Sequence, residues 1–512
     1  MERRQLLKAI GLAGVGAVHL STPLTGLAKS INMPSAENIK LVNAKNNFNK
    51  ALQHDARLIG FANMRQEYLS QPLKLEGKLP TDIQGDFYRN GPAGHERGDM
   101  RYLHLFEGDG MVQGFHFENG QLTHQAKFVK TSKFIKEQQA DKFLYSGPDS
   151  RIDNALPVSH PDMVNPANTN VIAVGDELWA LWEAGSATAL DPRTLDTKHT
   201  VNLGQNSHYG DKLKGLAFSA HPKIEASGDI WNFGLSPTGH IALFHLSSAG
   251  KVNNVGLINA RYKGGMLHDF LITDKHILLI LPSLKVDAEQ TGFFAQISYS
   301  NDIPMQVLVI DKQSLTLKKH YELESGFAFH YGNAWEEADG TIHFDASLYK
   351  TNHILTSFQK LMRGQPDDIH IGAKTVLFSL KANGSVHQQV IEGDSEFPRI
   401  FASKVGRQNQ YLFTLAANDN PIWNDTINCL DLFSGNKSHF SYGKDFLVEE
   451  HIPIAMQGAE EQGYLIGTAL HIPSKRTCLN IFKADRLNDG PLCRAWLPYH
   501  MPLGFHGNFV AS

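Results

Sequence analysis

From about Gln71 onward the chain repeats one texture: a short run of apolar, β-branched and aromatic residues, a Gly, Asp or Asn turn, then another run. Residues 170–174, a Gly175-Asp176 turn and residues 178–182 make one such hairpin, followed by 187–190 and the turn-forming pair Asp191-Pro192. Stretches 276–281, 305–311, 341–348, 375–380, 410–416 and 464–469 read as further strands, and long stretches of helical periodicity are scarce. Many short strands over more than 400 residues predict an all-β fold of the propeller, jelly-roll or large-sandwich kind. No strict motif per blade selects among the three.

Two stretches break this texture. Residues 285–301 form a long segment rich in polar and aromatic side chains between strands, a length at which loops tend to be functional or mobile. Residues 354–362 place Ile354, Leu355, Phe358, Leu361 and Met362 on one helical face, suited either to covering the core or to peripheral contact with a membrane surface.

The first residues read as an address. Arg3 and Arg4 precede Leu6, Leu7 and Lys8, and the apolar stretch 9–20 is too short for a bilayer span, which needs about 20 residues. Arg-Arg-Gln-Leu-Leu-Lys is similar to the twin-arginine export motif, and Gly26-Leu27-Ala28 offers small residues where a signal peptidase reads. The expected organisation is a twin-arginine-type signal peptide over 1–28, an N-terminal extension over 29–70 and a single β-domain over 71–512. Export by the twin-arginine translocase would place the protein in the periplasm or another extracytoplasmic compartment. That route carries folded cargo, which suits a protein that must acquire a metal before export, because a metal site rarely exists in the unfolded chain.

Composition narrows the partners more than the fold. A net charge of -4, with Lys and Arg scattered and without long runs, lacks the footprint of a nucleic-acid binder and leaves a small molecule as the expected partner. Cys429, Cys478 and Cys493 form no CxxC pair, and an odd count in so long a chain is read as buried thiols, not a disulfide framework.

With 25 histidines in the chain, one alone says little. Four stand out by context: His221 in Phe-Ser-Ala-His-Pro-Lys-Ile, His268 in Gly-Gly-Met-Leu-His-Asp-Phe, His330 in Phe-Ala-Phe-His-Tyr-Gly-Asn and His506 in Leu-Gly-Phe-His-Gly-Asn-Phe. In such apolar or glycine-rich settings an unpaired imidazole is costly, and a metal ion would supply the missing partner. Imidazoles alone suit iron, zinc or copper.

The same stretches resemble the carotenoid cleavage oxygenases, an iron(II) dioxygenase family that includes bacterial lignostilbene dioxygenases, apocarotenoid oxygenases and the vertebrate retinoid isomerase. Gly85-Asp86-Phe87-Tyr88-Arg89-Asn90-Gly91-Pro92 looks like the family's opening segment. Phe106-Glu107-Gly108-Asp109-Gly110-Met111 is similar to its Phe-Asp-Gly-Asp-Gly-Met signature, with Glu107 in place of the usual Asp. Asn168-Thr169-Asn170, Asp191-Pro192, Asp269-Phe270 with Thr273, Asn333-Ala334 with Glu336, Glu396-Phe397-Pro398-Arg399 and His506-Gly507 follow in family order.

The resemblance implies a seven-bladed β-propeller with a loop and helical cap over the metal-bearing face. It implies one Fe(II) held by His221, His268, His330 and His506, each from a different blade, with molecular oxygen as co-substrate. It also implies supporting glutamates that accept the second ring proton of three histidines. They map to Glu183, Glu396 and Glu450, the last adjoined by Glu449 and followed by His451 where the family usually has Pro. The implied chemistry is insertion of both oxygen atoms across a carbon–carbon double bond of an apocarotenoid, carotenoid or hydroxystilbene, giving two carbonyl products. Lys133, with Tyr102 as its partner, matches the segment in which stilbene-cleaving members contact a phenol. Two other readings stand beside this one: a non-catalytic propeller that binds apolar ligands, and an isomerase on the same iron scaffold.

Overall fold

The computed structural model describes residues 35–512 apart from 206 and 263–264, so the leader expected over 1–28 lies outside the described residues. Within them, seven antiparallel sheets of four or five strands succeed one another along the chain and form a seven-bladed β-propeller. The ring closes at two places. Lys74–Gly77 adds the outer strand of the last blade beside Cys493–Trp496, while His506–Ala511 adds the inner strand of the first blade beside Gly85–Gly94. Both chain regions are thereby tied into blades whose remaining strands lie far away in sequence, and the sheet edges they cover are no longer open to pairing.

Alternating side chains produce the packing. Gln121–Phe128 buries Leu122, His124, Ala126 and Phe128 while the residues between them are half-buried or exposed, the period-two pattern of a strand with one inward face. Neighbouring blades share cores. Trp231, Phe233 and Leu243 of the third blade, for example, pack on Ile272, Leu279 and Ile310 of the fourth. Expected strands 170–174, 276–281 and 305–311 appear as Asn170–Val174, His276–Leu281 and Met305–Asp311.

The irregular stretches are ordered. Segment 285–301 contains a two-stranded ribbon, Leu284–Val286 with Ile297–Tyr299, joined by a loop that carries the short helix Phe293–Gln296. The amphipathic stretch is the helix His353–Met362. The N-terminal extension holds a helix, Ala36–Leu52, which Ser35 caps by accepting from the amides of Glu37 and Asn38. Leu41, Ala44 and Phe48 on this helix are buried, and the first propeller strand, Tyr68–Pro72, starts three residues before the expected boundary. Cys429, Cys478 and Cys493 are buried and unpaired. No helix of the described residues is long and apolar enough to cross a membrane.

Candidate metal centre and cavity

The four singled-out histidines meet at one point. Ligand atoms of His221, His268, His330 and His506 all lie within 4.8 Å of one another, and all four residues are buried. Their blades explain the wide sequence spacing. His221 precedes the inner strand Lys223–Ile224, and His268 precedes Phe270–Ile272. His330 falls in the break between Phe327–Ala328 and Ala334–Glu336, and His506 opens the closing strand. Nε2 of His221 is 3.0 Å from Nε2 of His506, while Nε2 of His330 has no hydrogen-bond partner among the described residues.

The electrostatics favour a cation. Burial, and then the neighbouring imidazoles, push His221 and His268 well below the usual histidine range. Burial also lowers His506, against the opposing pull of Glu450. Neutral imidazole is the form that binds metal. His330 differs: burial acts downward, but the Glu396 carboxylate outweighs it and the net shift is upward. Four convergent imidazoles with an orphaned buried nitrogen fit a first-row metal ion, and iron is within that set.

Carboxylates stand behind the rings. Glu396 Oε2 is 2.5 Å from Nδ1 of His330. Glu450 Oε1 is 3.0 Å from Nδ1 of His506, and its Oε2 accepts from the amide of Gly507 at 2.9 Å. The Glu450 carboxyl is held at about 2: burial acts upward, but Arg399, His506 and the Gly507 amide overcome it. Glu183 Oε1 lies 3.2 Å from Nδ1 of His268 and 3.4 Å from Nδ1 of His221, so this single carboxylate sits between two rings. Its carboxyl is raised well above the ordinary range by burial and by Asp269. Of the adjacent pair, Glu450 and not Glu449 contacts a ligand ring.

Two positioning features escaped sequence reasoning. Asp269 receives Lys223 Nζ at 2.8 Å and the amide of Tyr331 at 3.1 Å. It therefore ties together the segments that carry His221, His268 and His330. Phe397 adopts a left-handed backbone, φ 50°, uncommon for a bulky residue and often associated with functional sites. In this conformation its amide donates to Glu396 Oε2 at 2.6 Å and its ring stacks on His330 at 5.0 Å.

A cavity of about 930 Å³ is lined by three of the four rings, those of His268, His330 and His506. Phe106, Phe294, Phe329, Phe358, Trp423 and Phe505 form much of its wall, and Phe329 lies edge-on to His268 at 5.1 Å. Ile354, Phe358 and Leu361 of the helix His353–Met362 face this cavity, as do Val286, Phe293 and Ile297 of the ribbon. The helix thus turns its apolar face inward, as the core-covering alternative for 354–362 expects.

Lys133 and Tyr102 require correction. They do lie together, with Lys133 Nζ 5.0 Å from the Tyr102 ring centre, but neither lines the cavity. Lys133 sits on the helix Ser132–Ala140 and is ion-paired with Asp109 at 2.6 Å and Glu137 at 3.3 Å. The Tyr102 hydroxyl donates to Glu137 at 3.1 Å. The ammonium is consumed by an internal charge cluster. Glu107, the departure from the family signature, is also internal: its carboxylate accepts from the amides of His104, Asp149 and Ser150 and from the Ser150 hydroxyl.

Known proteins share this fold. A family model described as retinal pigment epithelial membrane protein matches residues 61–511. The chain belongs to this family. Among similar members, the apocarotenoid-15,15'-oxygenase of Synechocystis sp. is 27% identical over 485 residues, covering 89% of this chain and 96% of that protein. The lignostilbene-alpha,beta-dioxygenase isozyme III of Sphingomonas paucimobilis is 27% identical over 470 residues, covering 86% and 93%. The solved structure of cobalt-substituted Synechocystis apocarotenoid oxygenase aligns with a TM-score of 0.79 at 25% identity, covering 91% of this chain and 99% of the other. The chain is an oxygenase of the alkene-cleaving type that these relatives represent.

Proposed function

We propose that the protein is a non-haem Fe(II) dioxygenase that cleaves one carbon–carbon double bond of an apocarotenoid to two carbonyl products. The observation that carries this reading is the cavity: walled largely by aromatic and aliphatic side chains, and lined by His268, His330 and His506 of the cluster of four buried histidines. Its volume is at the upper end of the range for small-molecule sites, about 300–1,000 Å³, which suits an extended polyene. The internal pairing of Lys133 weighs against a hydroxystilbene.

His221, His268, His330 and His506 would hold the iron, leaving coordination positions open. When bound, the metal supplies the site at which oxygen is activated for attack on the alkene. The protein's own groups do the remaining work. Glu396 and Glu450 accept the Nδ1 protons of His330 and His506, which fixes each ring as an Nε2 donor. Phe329, Phe397 and Phe505 exclude water from the ring cluster and confine a flat conjugated chain, so that one double bond lies over the centre. In the overall balance one alkene and one O2 give two carbonyl fragments, with no other reductant.

Ile369 and Ile371 line the cavity yet are 76% and 56% exposed, with Val286 at 42%. They would offer an apolar rim for peripheral contact with the membrane in which such a substrate dissolves. A twin-arginine leader over 1–28 would let the protein acquire iron in the cytoplasm and act in the periplasm.

The test is oxygen uptake by iron-loaded protein given apocarotenals and, in parallel, resveratrol-like stilbenes, with identification of the aldehydes. Uptake with apocarotenals and paired aldehyde products is expected. Turnover of stilbenes alone would move the assignment to that class, product formation without oxygen uptake would make it an isomerase, and tight binding without turnover a carrier.

A further inference from the structure

Glu449 is adjacent to the His506 support and is fully buried, yet touches no ligand ring. The strand Phe446–Ala455 changes register against Gly463–His471 between Val448 and His451, so that Glu449 and Glu450 together oppose the single residue Thr468. That is a β-bulge, which re-aims side chains at the cost of local pairing. Its effect is to direct both carboxylates at the same incoming segment. Glu450 takes the His506 ring and the Gly507 amide. Glu449 Oε1 accepts from the amide of Gly504, two residues before the ligand, at 2.5 Å, and from Arg89 Nη2 at 2.6 Å. The Thr468 hydroxyl donates to its Oε2 at 2.5 Å.

The bulge is itself braced. His451 bonds through Nδ1 to the carbonyl of Glu449 at 2.7 Å and through Nε2 to the Tyr442 hydroxyl at 2.9 Å. Gly504 has no room for a side chain, because a Cβ there would press on Arg89 Nη2 at 2.8 Å and on the Asn90 carbonyl at 2.9 Å. The closing segment is therefore held on both sides of its one ligand.

We propose that Glu449, charge-balanced by Arg89, is a positioning residue for His506: it fixes the backbone of Gly504 and so sets where the closing strand delivers its imidazole. This rests on the reading of His506 as a metal ligand. Glu449 touches neither metal nor substrate, and its role is to keep the fourth nitrogen within reach of the other three.

Two double variants separate the clamp from the ion pair. R89M/E449Q removes both charges but keeps an acceptor for the Gly504 amide, and R89M/E449L removes the acceptor as well. Replacing both partners of a buried pair by uncharged groups of similar size is often neutral for folding. Amide hydrogen exchange over 504–507 is read on metal-free protein, and release of cobalt(II) to a chelator, with its visible spectrum, on loaded protein.

The Gln variant should keep wild-type exchange, release rate and spectrum. The Leu variant should exchange at Gly504 and release cobalt about tenfold faster, with an altered spectrum, as for loss of other supporting partners. Equal behaviour of the two variants, whether both like the wild type or both impaired, would overturn the proposal. Should the Leu variant fail to fold, the Gln variant decides alone, since faster exchange or release in it also overturns the proposal. Wild-type protein that takes up no cobalt(II) would instead sink the metal reading, with the exchange comparison still judging the clamp.

Discussion

Replacing Glu450 by Gln tests how much the support behind one ligand contributes. The carboxylate accepts from His506 Nδ1 and the Gly507 amide and faces Arg399 Nη1 at 3.6 Å. A glutamine keeps only one acceptor atom and turns its amide donors toward an N–H. The Glu450 carboxyl stands at about 2 against an ordinary 4.5; at about 1.4 kcal/mol per unit, the folded protein favours the ionised form by about 3 kcal/mol. E450Q is accordingly expected to weaken metal binding by about 10- to 100-fold in competition with a chelator. It should also lower the stability of metal-free protein by about 3 kcal/mol at neutral pH, measured by denaturant unfolding. Because the folded-state value lies below the unfolded one, this stabilisation is complete above about pH 4.5 and is lost as pH falls toward 2. The stability gap between wild type and E450Q should be constant from pH 5 to 7, falling to about half or less at pH 3. Superimposable competition curves, or a gap unchanged at pH 3, would refute the reasoning.

Three further outcomes are expected. His268→Ala removes one of four convergent nitrogens and should abolish iron retention through gel filtration; unchanged iron content removes His268 from the ligand set. Lys133→Met leaves Glu137 without its cation, while Asp109 keeps Arg97, and should destabilise the fold by about 3 kcal/mol in denaturant unfolding. A variant of unchanged stability that selectively loses stilbene binding would return Lys133 to the substrate site. Replacement of Arg3 and Arg4 by Lys should retain the precursor in the cytoplasm on fractionation, whereas undiminished export would point to another route.

The fold's class was readable because short apolar, β-branched runs recur between turn residues, as in 276–281 and 305–311, which are buried along nearly their whole length. Its blade count came from the resemblance, since neither the closing strand His506–Ala511 nor the outer strand Lys74–Gly77 pairs with a sequence neighbour. The histidines were legible because each is polar in an apolar setting. The ties around them were not. Asp269 joins blades across 46 and 62 residues through Lys223 and Tyr331, and the bulge that turns Glu449 and Glu450 to one segment depends on pairing with a different strand. Lys133 was misread for a local reason. Its i,i+4 partner Glu137 and the Thr131 cap mark a helix with an internal ion pair, a signal that a strand-rich context obscured. The helix Ala36–Leu52 shows little periodicity because only Leu41, Ala44 and Phe48 are buried.

The most direct test of the central claim uses purified protein loaded with one Fe(II) per chain, an apocarotenal and ¹⁸O₂, with products trapped before carbonyl exchange with water. The account predicts stoichiometric oxygen consumption and one ¹⁸O in each of the two carbonyl fragments, both lost in His268→Ala. Cleavage with label in only one fragment, or undiminished cleavage in the metal-free protein, would contradict it.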